Sequence, residues 1–194
     1  MIGYLIGNLA WKEPTQVIID VNGIGYEVHI SLNTYSQIKN EAKCKLFTYL
    51  HVKEDAQILY GFSHTAEKSI FLKLISISGV GPNTGMMICS SLSVNEIQSA
   101  IVEEDVTTIQ KVKGIGAKTA QRIILELKDK IMKEGVEARI IGTSAHHSLK
   151  EEALSALVTL GINKNIAEKT ISTIIKNNHE ISLEELIKRA LRRA

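Results

Sequence analysis

Ser78-Gly79-Val80-Gly81-Pro82-Asn83-Thr84-Gly85 and Lys113-Gly114-Ile115-Gly116-Ala117-Lys118-Thr119-Ala120 repeat one pattern at an offset of 35 residues. Each Gly-apolar-Gly turn follows one helix-like stretch and opens another. Glycine reaches backbone angles closed to other residues, and it has no Cβ to hold a ligand away. Its N–H groups, with those of the next helical turn, make a seat for an anion. Two seats in one unit predict a grip on two phosphates of a nucleic-acid backbone, through Gly79, Val80 and Gly81 and through Gly114, Ile115 and Gly116. The plainer alternative is a pair of tight corners between helices. Repetition of the turn, its flanks and the following Thr84 and Thr119 favours binding.

Side chains just past the turns refine this expectation. Lys118 enters the second helix where its ammonium can reinforce a bound phosphate, although an ordinary solvated lysine fits the same pattern. Arg122 follows four residues later, near the same face, and can reach the backbone too. The first copy has Asn83 where the second has Lys118, a donor without charge. A P-loop fails because Ala117 stands where that motif needs Gly before Lys, and a helix rather than a strand precedes it. A dinucleotide fingerprint fails for want of a third glycine and a βαβ setting.

Outward from the turns, residues 63–134 keep a helical period. Ile70, Phe71, Leu74 and Ile75 form one stripe; Ala120, Ile123, Ile124, Leu127 and Ile131 form another, with polar residues opposite. Residues 94–103 and 106–112 read as shorter helices, and Pro82 suits the first position of its helix. Residues 1–62 instead alternate with a period of two, as in Ile24, Tyr26, Val28 and Ile30. Asn22-Gly23 is a hairpin signal between that run and residues 17–21. Strands also read over 2–10, 46–52 and 57–62. Five strands predict a small barrel, OB-like or SH3-like, with the OB-like form preferred.

Residues 135–146 lack periodicity and read as a flexible linker, with Gly142-Thr143-Ser144 inside it and His146-His147 at its end. Residues 147–194 hold three amphipathic helices, over 148–160, 163–176 and 182–193, with Ser182 and Glu185 at capping-box spacing. The expected class is therefore α+β and multidomain: a barrel, paired helical hairpins and a three-helix bundle. A tethered bundle of this size suits a partner-binding module.

Composition narrows the chemistry. The 194 residues are 44% hydrophobic and 5% aromatic, so a packed chain is expected, but not a broad base-stacking surface. Net charge is only +2, from 23 basic and 21 acidic residues. Any phosphate binding must rest on local geometry rather than bulk basicity. Cys44 and Cys89 lack metal-ligand spacing and read as reduced thiols, Cys89 on a helix's apolar face. No secretory pattern or membrane-length apolar run is apparent, and a cytoplasmic location is expected. Glu54 and Asp55, between two expected strands, read by themselves as solvated loop charges. No nucleophile–base set, metal cluster or cofactor motif emerges, so a non-catalytic protein without cofactors is expected.

The motifs together resemble the RuvA family over essentially the whole length. The residues that carry the resemblance are Met1-Ile-Gly-Tyr-Leu-Ile-Gly7, Glu54-Asp-Ala-Gln-Ile-Leu-Tyr-Gly-Phe62, Ser78-Gly-Val-Gly-Pro82, Val112-Lys-Gly-Ile-Gly-Ala-Lys-Thr-Ala-Gln-Arg122 and Leu125-Glu-Leu-Lys-Asp-Lys130. Helix-hairpin-helix turns alone are only moderately specific; the acidic loop before Leu-Tyr-Gly-Phe62, followed by paired hairpins, is highly specific. The resemblance implies an OB-fold first domain, a tandem helix-hairpin-helix second domain and a C-terminal three-helix, UBA-like bundle. It also implies a homotetramer, sometimes doubled to an octamer, that holds a four-way Holliday junction open in recombination, DNA repair and the SOS response. The hexameric RuvB ATPase would dock on residues 147–194, and the RuvC resolvase would cut the junction. Glu54 and Asp55 match the family's acidic pin, which replaces their reading as plain loop charges. The family's first hairpin usually carries a lysine where this chain has Asn83, so the resemblance supplies no charged contact there. A helix-hairpin-helix glycosylase is the rival from the enzyme class, but its catalytic Asp context does not follow Lys118.

Overall fold

The computed structural model describes residues 1–139, 145–178 and 181–193. Five strands, β1 (Tyr4–Glu13), β2 (Gln16–Val21), β3 (Ile24–Ile30), β4 (Lys43–Val52) and β5 (Gln57–Phe62), close into a barrel in the order β1-β2-β3-β5-β4. Neighbours are antiparallel except β3 and β5, which pair in parallel at His29↔Tyr60 and Ile30↔Gly61. This is the OB-like arrangement. The expected hairpin is present: Asn22 and Gly23 have φ of 53° and 88°, and Gly23 N–H donates to Asp20 Oδ1 at 3.0 Å. Alternation along the strands sends Leu5, Val17, Ile19, Val28, Ile30, Leu46 and Leu59 inward. Gly7 permits the closest approach, since a Cβ there would lie 2.2 Å from the Asp20 carbonyl oxygen.

Helix α1 (Leu32–Ile38) joins β3 to β4 and had no sequence-level expectation. It has seven residues, too few for a periodic stripe, and buries only Thr34 and Ile38. Its cap, Ser31, starts a buried polar chain. Ser31 Oγ donates to a Glu67 carboxylate oxygen and accepts from Thr34 N–H at 2.9 Å. Thr34 Oγ1 donates to the other Glu67 oxygen at 2.7 Å and accepts from Ser63 N–H at 3.1 Å. Glu67, 5% exposed, thus ties the barrel to the helices that follow.

Those helices are α2 (Thr65–Ile75), α3 (Pro82–Ser91), α4 (Val94–Val102), α5 (Val106–Gln110) and α6 (Ala117–Arg139). Phe71 of α2 packs on Phe62, Tyr60 and Tyr49, with ring centroids 4.9, 5.3 and 5.8 Å away. Asn33 Nδ2 donates to the Cys89 and Leu92 carbonyls at 2.7 and 3.0 Å, holding α1 against the end of α3. Barrel and hairpins consequently form one compact unit, Met1–Met132. The stripes expected along α2 and α6 line its core, with Ile70, Phe71, Leu74, Ile123, Ile124 and Leu127 buried. Cys89 is buried among them, and burial pushes its thiol well above the ordinary range.

The second unit, Lys133–Ala194, contains α7 (Ala145–Thr159), α8 (Lys164–Asn177) and α9 (Leu183–Leu191). Ala153, Leu157, Ala167, Ile171, Ile174, Leu186 and Ala190 form its core. Ser182 caps α9 by accepting from Glu185 N–H. Leu160 and Leu191, apolar residues near the ends of two expected helices, are exposed. Helices extend into the segment expected as a linker. Helix α6 runs through Gly135 to Arg139, and α7 begins at Ala145, so His146 and His147 lie within a helix. Residues 140–144 of that segment fall outside the described residues.

Candidate nucleic-acid interface

The two glycine turns are alike bond for bond. In the first, Val80 N–H donates to Ile77 O at 3.0 Å and Gly85 N–H to Gly81 O at 2.9 Å. In the second, Ile115 N–H donates to Val112 O at 3.1 Å and Ala120 N–H to Gly116 O at 3.0 Å. Gly79 and Gly114 have φ of +87° and +86°, the left-handed region that only glycine enters without strain. Val80 and Ile115 are buried pegs, 4% and 5% exposed, that anchor each turn in the core. Their N–H groups are already committed within the turn, so those residues act through packing. Gly79, Gly81, Gly114 and Gly116 face solvent.

Each turn then presents the start of a helix. The first N–H groups of a helix have no acceptor within it. Most helices here supply one from their own sequence: Ser31, Ser93, Asp105, Asn163 and Ser182 cap α1, α4, α5, α8 and α9. Helix α2, starting at His64, and helix α3, starting at Gly81, have no side-chain cap, and of the two only α3 begins at a glycine turn. A bound anion would fill that role. A Cβ at Gly81 or Gly116 would meet nothing within 4 Å, so both positions are open to an approaching group.

Lys118 and Asn83 are exposed at equivalent positions, and Thr119 and Thr84 are half-buried beside them. Arg122 departs from the sequence expectation. Rather than only flanking Lys118, it reaches back across the unit, and its Nη1 donates to Ser78 O at 3.0 Å, at the mouth of the first turn. Lys130 makes a parallel link, Nζ donating to Ser76 Oγ at 2.6 Å. Neither link is readable locally, because the partners are far apart in sequence.

Glu54 and Asp55 occupy the exposed tip of the β4–β5 loop, closed by Lys53 N–H donating to Ala56 O at 2.8 Å. The six residues of β5 separate this tip from α2 by roughly 20 Å of extended chain. Acidic groups near the second hairpin are paired locally: Glu104 accepts from Lys128, and Asp105 accepts from Thr108. Those contacts hold both carboxyls below the usual range. Among the described residues, no cluster of three His, Cys, Asp or Glu could hold a metal, and no helix is long and apolar enough to cross a membrane.

A five-stranded OB-like barrel fused to two matched helix-hairpin-helix turns defines the class, a tandem helix-hairpin-helix protein with an appended three-helix unit. Residues 1–61 match the RuvA N terminal domain, 71–129 the SAM-like helix-hairpin-helix tandem and 148–194 the RuvA C-terminal domain. The chain belongs to the RuvA family. It is 50% identical to the Holliday junction branch migration complex subunit RuvA of Cytophaga hutchinsonii over 197 residues, 99% of each chain. The protein of that name from Amoebophilus asiaticus is 50% identical over 99% of this chain and all of its own length. That from Christiangramia forsetii is 49% identical over the full length of both.

Proposed function

We propose that this chain is a structure-specific DNA-binding subunit that grips Holliday junctions for branch migration. The observation that carries the reading is the pair of matched turns, with left-handed Gly79 and Gly114 and open Gly81 and Gly116. The printed names of full-length relatives agree with it. Each turn takes a phosphate at its glycine amides and the following helix start, with Asn83, Lys118, Thr119 and Arg122 around them. Contacts of this kind position a protein on the backbone without reading bases, so shape outweighs sequence in selecting the site.

The chain contributes no catalysis of its own in this reading; a RuvB ATPase supplies the motor and docks on residues 147–194, and RuvC acts on the same junction. Four copies, or eight, surround the crossover in the cytoplasm, with the barrels at the centre. Glu54 and Asp55 of each copy then repel phosphate and steer separated strands into their arms. The test compares binding to a four-way junction and to linear duplex of the same sequence, with and without Gly81→Ala/Gly116→Ala. Junction preference that the double variant removes is the expected result. Equal affinity for both DNAs would defeat the reading.

A further inference from the structure

The first hairpin has no charge of its own. From Leu74 to Asn95 the sequence contains no Asp, Glu, Lys or Arg, whereas the matching window of the second copy carries Lys111, Lys113, Lys118, Arg122, Lys128 and Lys130 against Glu126 and Asp129. At the 35-residue offset, Asn83 stands against Lys118 and the exposed Met87 against Arg122. A neutral turn holds phosphate by amides alone.

The fold nevertheless brings a cation to it. Arg122 Nη1 lies 3.0 Å from Ser78 O and 3.8 Å from where a Cβ on Gly79 would stand. The guanidinium carries five N–H donors, so the bond to Ser78 leaves others for a phosphate. It remains exposed. Lys130, from the same helix, joins Ser76 just upstream. Helix α6 thus lends positive charge to a turn whose own residues supply none.

We propose that Arg122 is the cation of the first hairpin as well as a neighbour of the second, compensating for Asn83. The assignment rests on the phosphate-binding reading above. It differs from a purely structural strut, in which the Ser78 bond only braces α6 against the first turn, and from a contact confined to the Lys118 side.

The experiment is a log–log salt titration of full-length protein binding to a synthetic four-way junction, with thermal unfolding of every variant alongside. Arg122→Gln should lower the salt slope by about 0.9 per lost contact, about a threefold smaller loss of affinity for a fourfold rise in salt. Asn83→Lys should restore slope and affinity in the Arg122→Gln background, while adding much less to the parent protein and not rescuing Lys118→Gln. Equal increments from Asn83→Lys in all three backgrounds would overturn the assignment. So would a stability loss in Arg122→Gln whose binding defect Asn83→Lys cannot repair, the mark of a strut. A flat salt slope in the parent, unmoved by Lys118→Gln, would instead remove the phosphate-binding reading and the assignment with it.

Discussion

Gly79 and Gly81 are two residues apart, yet they are glycine for different reasons. Gly79, like Gly114, sits at positive φ, so Gly79→Ala or Gly114→Ala should cost about 1 kcal/mol or more in backbone strain. Gly81 has φ −82° and ψ 171°, which any residue adopts, and neither it nor Gly116 has a neighbour for a new Cβ to strike. Gly81→Ala and Gly116→Ala should therefore leave the unfolding midpoint nearly unchanged while weakening junction binding. Urea unfolding beside anisotropy separates the two classes; matching stability losses at all four positions would erase the distinction. Glu67→Ala should behave oppositely. It strands the Ser31 and Thr34 hydroxyls in a buried site, at a cost of about 2–3 kcal/mol in urea unfolding. The glycines and Lys118 were legible from their spacing. Arg122 was legible as a cation near the second turn, but its bond to Ser78 was not, because that pairing spans 44 residues.

Among the helix starts with a defined N-cap, α2 and α3 have no side-chain cap, and the others are capped by their own chain. Asp105, which caps α5, accepts from Thr108 Oγ1 and N–H, and these bonds hold its carboxyl below the ordinary value. A lowered folded value means the stabilisation is complete above the unfolded carboxylate's range of about pH 4 and is lost as pH falls through the folded value. Asp105→Asn keeps a good cap but cannot titrate, so its unfolding midpoint should match the parent at pH 7 and fall less steeply below about pH 4. Parallel curves in a pH series of thermal melts would contradict this. Most elements followed from period and turn chemistry. Two did not: α1 is too short to show a stripe, and α6 crosses Gly135. A helical glycine costs only about 1 kcal/mol, little enough for the surrounding helix to override.

Over the whole molecule, the division into Met1–Met132 and Lys133–Ala194 separates the proposed DNA contact from the proposed motor contact. Removing residues 147–194 should preserve junction affinity and abolish ATPase-driven migration. Normal migration by the shortened chain in a reconstituted assay would place motor docking elsewhere. Glu54→Gln with Asp55→Asn should likewise retain junction binding yet alter migration rate, and an unchanged rate would leave the exposed loop without the proposed role. Pattern alone was enough for the barrel, the paired turns and the three-helix unit, because periodicity, glycine spacing and hairpin signals are local properties of a chain. Only folding revealed the buried Glu67 joint, the committed amides of Val80 and Ile115, and the bond from Arg122 to Ser78. Those depend on which side chains meet after distant elements pack, and no local rule encodes such meetings.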